Sequence, residues 1–361
     1  MKRRLEPHVH GRGAQSSAVP TRFGLATREA DGDWRDYVEA LDGPPIKLRT
    51  TVTEERPKTI LSFNRSPDIA FDRSINAYRG CEHGCVYCFA RPTHAYHDLS
   101  PGLDFETRLF AKPDAARLLR ETLATPKYRP RPIAMGTNTD PYQPIERRYR
   151  ITRQVLEVCL EARHPVTITT KSDRVLDDLD LLAELARRNL TAVAISVTTF
   201  DPKLSGKLEP RAAAPAKRLA ALGKLVDAGV PAHCSVAPVI PAITDEFMED
   251  IVARAAAVGV RSAGWIPLRL PHEVAPLFRE WLSVHFPDRG EKVMGIVRSI
   301  RGGKDNDPDF FTRMKPSGIW ADLFRARFKL ACKRAGIGKM RFELDCSQFR
   351  APEVGGQMRL L

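Results

Sequence analysis

Six times along the middle of this chain, a short apolar run rich in β-branched residues is followed by a longer segment of helical periodicity. The runs fall at residues 74–78, 132–136, 166–170, 192–197, 233–236 and 262–266. Between them, Ala115, Leu118, Leu119 and Leu123 share one helix face, and so do Ile151, Val155, Val158, Cys159 and Ala162. Leu179, Leu182 and Leu185 mark a third helix, and Leu219, Leu222, Leu225 and Val226 a fourth. Phe247, Ile251 and Val258 sit in a fifth, and Leu277, Phe278 and Trp281 in a sixth. Such alternation predicts parallel strands joined by right-handed crossovers. Eight units would close a barrel. Six, flanked by chain of different character, predict an α/β fold in the form of a partial (βα)6 barrel.

The flanks differ from this core. Residues 1–56 carry Gly, Pro, Ser and charge with little apolar pattern, which predicts a weakly ordered, partly disordered lead-in. Trp34, Tyr37, Val38 and Leu41 predict one short helix there. The core is expected over 57–285, followed by a basic, mainly helical extension over 286–361 with Trp320, Phe324, Phe328 and Ala331 on one helix face. At 43% hydrophobic residues the chain can fill an interior, yet no stretch approaches the roughly 20 apolar residues of a membrane span. The N-terminal arginines precede no apolar signal core. A cytoplasmic protein without membrane partners is therefore expected.

The net charge of +13 is uneven. Residues 1–22 hold five Lys or Arg against one acid, residues 286–361 hold sixteen against nine, and the 263 residues between hold 36 against 34. The basic excess at both ends suits either solubility or attraction to a polyanion such as nucleic acid.

Seven cysteines are an odd number, and three of them lie within eight positions, which argues for a metal site over a disulfide framework. These are Cys81-Glu82-His83-Gly84-Cys85-Val86-Tyr87-Cys88, directly after the first strand candidate. Three thiolates spaced by three and then two residues can ligate three irons of one 4Fe-4S cube and leave its fourth iron open. Zinc is the alternative, with His83, His94 or His97 as fourth ligand, since closed zinc sites complete four protein ligands. Cys159 and Cys234 fall in a helix face and a strand and are expected in the core; Cys332 and Cys346 are too scattered for a second cluster. His94 and His97 are expected at the surface.

The Cys-x3-Cys-x-aromatic-Cys motif after a first strand, inside a six-fold β/α pattern, resembles the radical S-adenosylmethionine (SAM) superfamily, over about residues 58–285. Within it, residues 136–146 are similar to the second-strand segment of the spore photoproduct lyase-like branch. The resemblance implies a 4Fe-4S cluster on Cys81, Cys85 and Cys88 and SAM chelated to the open iron. It implies reductive cleavage of SAM to a 5′-deoxyadenosyl radical, with a protein such as flavodoxin or ferredoxin as electron donor. It places Tyr87 beside the adenine, Thr139 and Asp140 as SAM contacts in the segment after the second strand, and Lys171 opposite the SAM carboxylate. Ser196 and Thr198 alternate onto one side of the fourth strand, where their hydroxyls suit the SAM ribose or carboxylate. Backbone groups at 237–241 and 265–268 are expected to meet adenine. Residues 132–140 contain no cysteine, whereas the lyase carries one near its second strand as hydrogen donor, so the lyase reaction itself is not carried over.

Three functions follow as expectations. One is a radical SAM enzyme acting on nucleic acid, suggested by the basic ends. Another is the same chemistry on a peptide or small molecule. The third is a zinc-dependent nucleic-acid-binding protein without catalysis.

Overall fold

In the computed structural model the described residues are 11–17, 48–338 and 342–353. The helix expected around Trp34 and Leu41 lies outside them. Among the described residues, ten strands form two sheets. The larger contains β2 (Leu61–Phe63), β3 (Arg73–Ile75), β6 (Ile133–Met135), β7 (Val166–Thr170), β8 (Thr191–Val197), β9 (Ala232–Val239) and β10 (Ser262–Pro267). Its order is β10-β9-β8-β7-β6-β3-β2. The six strands from β3 to β10 run parallel, each beside its predecessor in this series, and β2 adds an antiparallel edge. This is the expected partial (βα)6 barrel, open between β10 and β2.

Alternation along the strands separates two faces. Val166 and Ile168 of β7, Val193, Ile195 and Val197 of β8, and Cys234 and Val236 of β9 join the main core. The crossover helices Ala115–Leu123, Ile151–Glu161, Leu179–Arg187, Pro215–Asp227 and Met248–Ala257 supply the other half of that core. The opposite face of the same strands carries small or polar residues, among them Thr167, Thr169, Ala194, Ser196, Ser235 and Gly264. A barrel interior built from such residues leaves room for ligands, where the bulky Val, Ile and Leu layers of a closed barrel would fill it.

The first strand candidate divides. β3 stops at Ile75, and β4 (Tyr78–Arg79) turns away into a second sheet of order β1-β5-β4, with β1 (Thr51–Glu54) and β5 (Arg108–Ala111). Asn76 makes the turn, its side-chain carbonyl accepting from Asn138 N–H at 3.0 Å and its amide lying 3.2 Å from Thr137 Oγ1. The lead-in is not wholly apart from the core. Arg12, Ala14 and Gln15 are buried, and β1 belongs to the small sheet.

Residue 286 is not a packing boundary. The helices Val274–His285 and Gly290–Ser299 on either side of it share a second core, with Phe278, Trp281, Val293 and Val297 packed against Val86, Leu204, Leu208 and Leu268. The indole N–H of Trp281 donates to Lys207 O at 3.0 Å. The outer layer beside β10 is instead completed by the helix Ile319–Arg334, whose Phe324 and Ala331 are buried in the main core, with Phe324 edge-on to Trp265 at 6.3 Å. Trp320, expected on that buried face, is 40% exposed. No helix among the described residues is long and apolar enough to cross a membrane.

Candidate functional site

Cys81, Cys85 and Cys88 lie on the loop 80–90 that follows β4, at the carboxyl ends of the parallel strands. The loop rests on the second core through Cys85, Val86 and Tyr87. Short backbone bonds shape it: Gly84 N–H to Cys81 O at 3.3 Å, Cys88 N–H to Cys85 O at 3.2 Å, and Arg91 N–H to Cys88 O at 3.2 Å. Arg91 is fully buried and holds the loop from beneath. Its Nε donates to Cys85 O at 2.9 Å and its Nη2 to Gly84 O at 3.2 Å, while Nη2 also pairs with Glu106 at 2.5 Å. Glu106 accepts in turn from Gly13 N–H at 3.0 Å and Ala14 N–H at 2.8 Å, so the N-terminal segment 11–17 is fastened to the same ion pair.

The thiols are shielded and flanked by donors. Burial raises the Cys85 thiol to about 12, and Glu209 adds to that while Lys171 and Arg218 oppose it. Burial raises Cys81 and Cys88 as well. The N–H of Asp140 favours the Cys81 thiolate, and those of Ala90 and Arg91 the Cys88 thiolate. Among the described residues no three His, Cys, Asp or Glu side chains converge to hold one metal ion. A cube puts each thiolate on a different iron and so keeps the sulfurs apart, whereas a zinc gathers every ligand within a bond of about 2.0–2.3 Å. Three thiols on one short loop are the donor set that three irons of such a cube would take.

Two carboxylates, the part-buried Asp140 and the buried Glu209, organise the residues singled out in the sequence. Asp140 braces three segments: its Oδ1 accepts from Thr170 Oγ1 at 2.6 Å and Tyr142 N–H at 2.9 Å, and its Oδ2 from Lys171 N–H at 2.7 Å. His83 Nδ1 stands 3.3 Å from the same Oδ2 and ties the cluster loop to it. Burial would raise the Asp140 carboxyl, but the His83 ring and these donors hold it at about 2. Thr139 is turned elsewhere, donating to Tyr78 O at 3.3 Å. The side chains of Thr139 and Asp140 are thus engaged within the protein.

The second carboxylate, Glu209, gathers Tyr87, Thr198 and Lys171. Tyr87 donates its hydroxyl to Glu209, and Thr198 Oγ1 lies 2.6 Å from Glu209 Oε1 and 3.1 Å from Ala237 O. Arg218 is fully buried and pairs with Glu209, while its other nitrogens reach Ala213 O at 2.7 Å and Ser196 O at 3.1 Å. Burial works to raise Glu209, yet Arg218 and Lys171 bring it down to about 2. The Lys171 ammonium lies 5.8 Å from the Tyr87 ring centroid. Ser196 shares the strand and is buried, contributing its carbonyl to Arg218.

Sequence reasoning missed Glu209, Arg218, Arg91 and Glu106. The one local signal was Glu209-Pro210-Arg211, a proline-flanked charged triplet, whose Arg211 donates to Glu82 Oε1 at 2.8 Å. Of the histidines expected at the surface, His94 is buried and edge-on to Phe105 at 5.5 Å, and burial lowers it to about 4.

Comparison with known proteins agrees with this arrangement. Residues 75–255, half of the chain, match the Radical SAM superfamily. An uncharacterised protein of Mycobacterium tuberculosis is 37% identical over 242 residues, covering 66% of this chain and 71% of the relative. An uncharacterised protein of Methanocaldococcus jannaschii is 29% identical over 171 residues, covering 47% of this chain and 61% of the relative. A cysteine-to-serine variant of spore photoproduct lyase superposes with a TM-score of 0.59 at 14% identity, over 87% of this chain and 86% of that chain. The lyase complexed with dinucleoside spore photoproduct gives 0.57 at 15% identity, over 81% and 82%. At these identities the likeness to the lyase is one of fold. The family match over half of the chain shows that it belongs to the radical SAM superfamily and is a radical SAM enzyme.

Proposed function

We propose that Cys81, Cys85 and Cys88 hold a 4Fe-4S cluster at the carboxyl mouth of the half-barrel, and that SAM binds beside it on the inner face of β7 to β9. Superfamily membership implies both groups. When bound, they would supply reductive cleavage of the SAM C5′–S bond and with it a radical able to abstract hydrogen from a substrate. The observation that carries the reading is one short loop holding three thiols, Cys81 and Cys85 buried and Cys88 partly so, with donor N–H groups beside its sulfurs and the Lys171 and Arg218 cations close by.

The chain's own residues then have distinct tasks. The three thiols lose their protons when iron binds, and the nearby cations and N–H groups favour that loss. Arg91 and Glu106 fix the loop in the shape that receives the cube. The Lys171 ammonium meets the SAM carboxylate as a point charge, whereas Arg218 is committed to Glu209. Tyr87, Thr198 and Ser196 line the adjoining wall. Asp140 and Thr139 act as braces that set the height of the 136–140 turn, leaving its backbone to face SAM. A reduced ferredoxin- or flavodoxin-type protein delivers the electron.

Nucleic acid is the substrate class favoured by the charge distribution, since the C-terminal 76 residues hold sixteen basic against nine acidic side chains. The test is anaerobic production of 5′-deoxyadenosine from SAM. Lys171→Ala is expected to weaken SAM binding at unchanged iron content. Loss of iron in that variant would show that the lysine serves the cluster loop and not SAM.

A further inference from the structure

We propose that Arg269 and Arg301, together with the exposed ring of Phe89, form a subsite for a phosphate group of the substrate at the mouth of the half-barrel. This rests on the reading of that mouth as the place where substrate meets the radical.

The subsite is assembled by β10 and the chain beyond it. Past the end of β10, Leu268 N–H still pairs with Val239 O at 3.0 Å, and Arg269 follows at the carboxyl edge. The Arg269 guanidinium carbon stands 5.9 Å from the centroid of Phe89, the residue immediately after Cys88, whose ring is 51% exposed. Arg301 comes from the end of the helix Gly290–Ser299 and returns to the same edge, donating to Leu268 O at 3.1 Å and to Arg313 O at 2.5 Å. It is only 4% exposed. Arg301 thus holds the carbonyl of the residue that precedes Arg269, and burial and then the Arg269 charge lower its guanidinium to about 10.

Neither charge has an ion-pair partner among the described residues. The buried Arg73, Arg91 and Arg218 each face a carboxylate of their own. Among the described residues no carboxylate lies within 4.0 Å of Arg269 or Arg301. The nearest acids are Asp68 and Asp307. Asp68 is taken by Arg313 at 2.6 and 2.7 Å, and Asp307 accepts from Asp309 N–H at 2.9 Å. The Nε of Arg269 and the Nε of Arg301 are both buried, with no hydrogen-bond partner among the described residues. Two adjacent guanidinium groups with spare donors match the several oxygens of one phosphate. The Phe89 ring beside them offers a face on which a base can stack, and such stacking with backbone cations is how single strands are commonly held. The shared chemistry is a phosphate ester carried by a flat base, whether in a strand or in a free nucleotide.

The test is anisotropy of a labelled single-stranded oligothymidylate with the cluster-loaded full chain, at low and raised salt, with thymidine monophosphate and inorganic phosphate as competitors. The wild-type protein is expected to bind. Arg269→Glu should weaken binding at least about tenfold and reduce the salt slope by about 1. Arg269→Gln should fall between the two, and Arg301→Lys should weaken binding severalfold. Iron content and melting temperature matching the wild type identify folded variants. Competition by the monophosphate at similar phosphate concentration assigns the site to a free nucleotide; competition by the unlabelled strand alone assigns it to nucleic acid. Failure of the wild type to bind any of these anions at low salt, or folded Arg269 variants with wild-type affinity, would overturn the proposal. Wild-type protein that makes 5′-deoxyadenosine yet binds no phosphate sinks this inference and leaves the function reading standing. A protein that holds no cluster sinks that reading whatever its anion affinity.

Discussion

Glu209 carries the charge balance of the site, because Tyr87, Thr198 and Arg218 all direct donors at its carboxylate. Glu209→Gln leaves Arg218 buried without its anion, and removing one partner of a buried pair costs about 3–5 kcal/mol. The expected result is a loss of about that size in denaturant unfolding, together with weaker SAM binding; a change below about 1 kcal/mol would remove Glu209 from its supporting role. Glu209 and Asp140 also set an acid limit. Both sit at about 2 in the fold, below the ordinary values of 4.5 and 3.8. A lowered carboxyl stabilises the fold above its ordinary value and stops doing so as pH falls through the folded one. Stability should therefore drop between about pH 4.5 and about pH 2, by on the order of 2–3 kcal/mol for each group. Urea midpoints across that window read it directly. At this scale the three-cysteine loop was legible because Cys81, Cys85 and Cys88 sit within eight positions. Glu209 was not, because its contact with Tyr87 spans 122 residues and depends on how the strands are ordered.

Among the elements, the segment 11–17 bears on the cysteine loop most directly. Gly13 lies so close to the loop that an added Cβ would stand 1.7 Å from Gly84 O. Both sides of that contact are backbone, so neither can yield cheaply. Gly13→Ala should push the segment off the Arg91–Glu106 pair, and iron retained per chain after anaerobic reconstitution should fall severalfold. Retention equal to the wild type would show that the segment is not part of the cluster's support. Burial of this segment was illegible, since Arg12, Gly13 and Ala14 have no periodic pattern and their partner Glu106 is remote in sequence. The strand Val166–Thr170 was read with its observed ends because its β-branched run is bounded by Pro165 and Lys171. The strands β1, β2 and β5 were not seen, being three or four residues long with largely exposed or mixed sequences.

The whole molecule is a half-barrel whose open edges are linked by the chain beyond β10. Arg313 and Asp68, 245 residues apart, connect that chain to the loop between β2 and β3. The helix Ile319–Arg334 covers the outer side of β10, and Phe324→Ala should cost about 3–5 kcal/mol in unfolding free energy. A loss below about 1 kcal/mol would mean that this helix packs independently of the core. The sequence pattern showed six repeating units, but not that the outermost helix of the barrel would come from the extension, since periodicity identifies a helix face and not its partner. The central claim concerns Cys81, Cys85 and Cys88, and the direct measurement is electron paramagnetic resonance of the anaerobically reconstituted, reduced protein with and without SAM. A cluster signal that SAM alters, lost in Cys81→Ala, Cys85→Ala and Cys88→Ala, is the predicted result. A colourless protein carrying stoichiometric zinc, or a cluster signal indifferent to SAM, would contradict it.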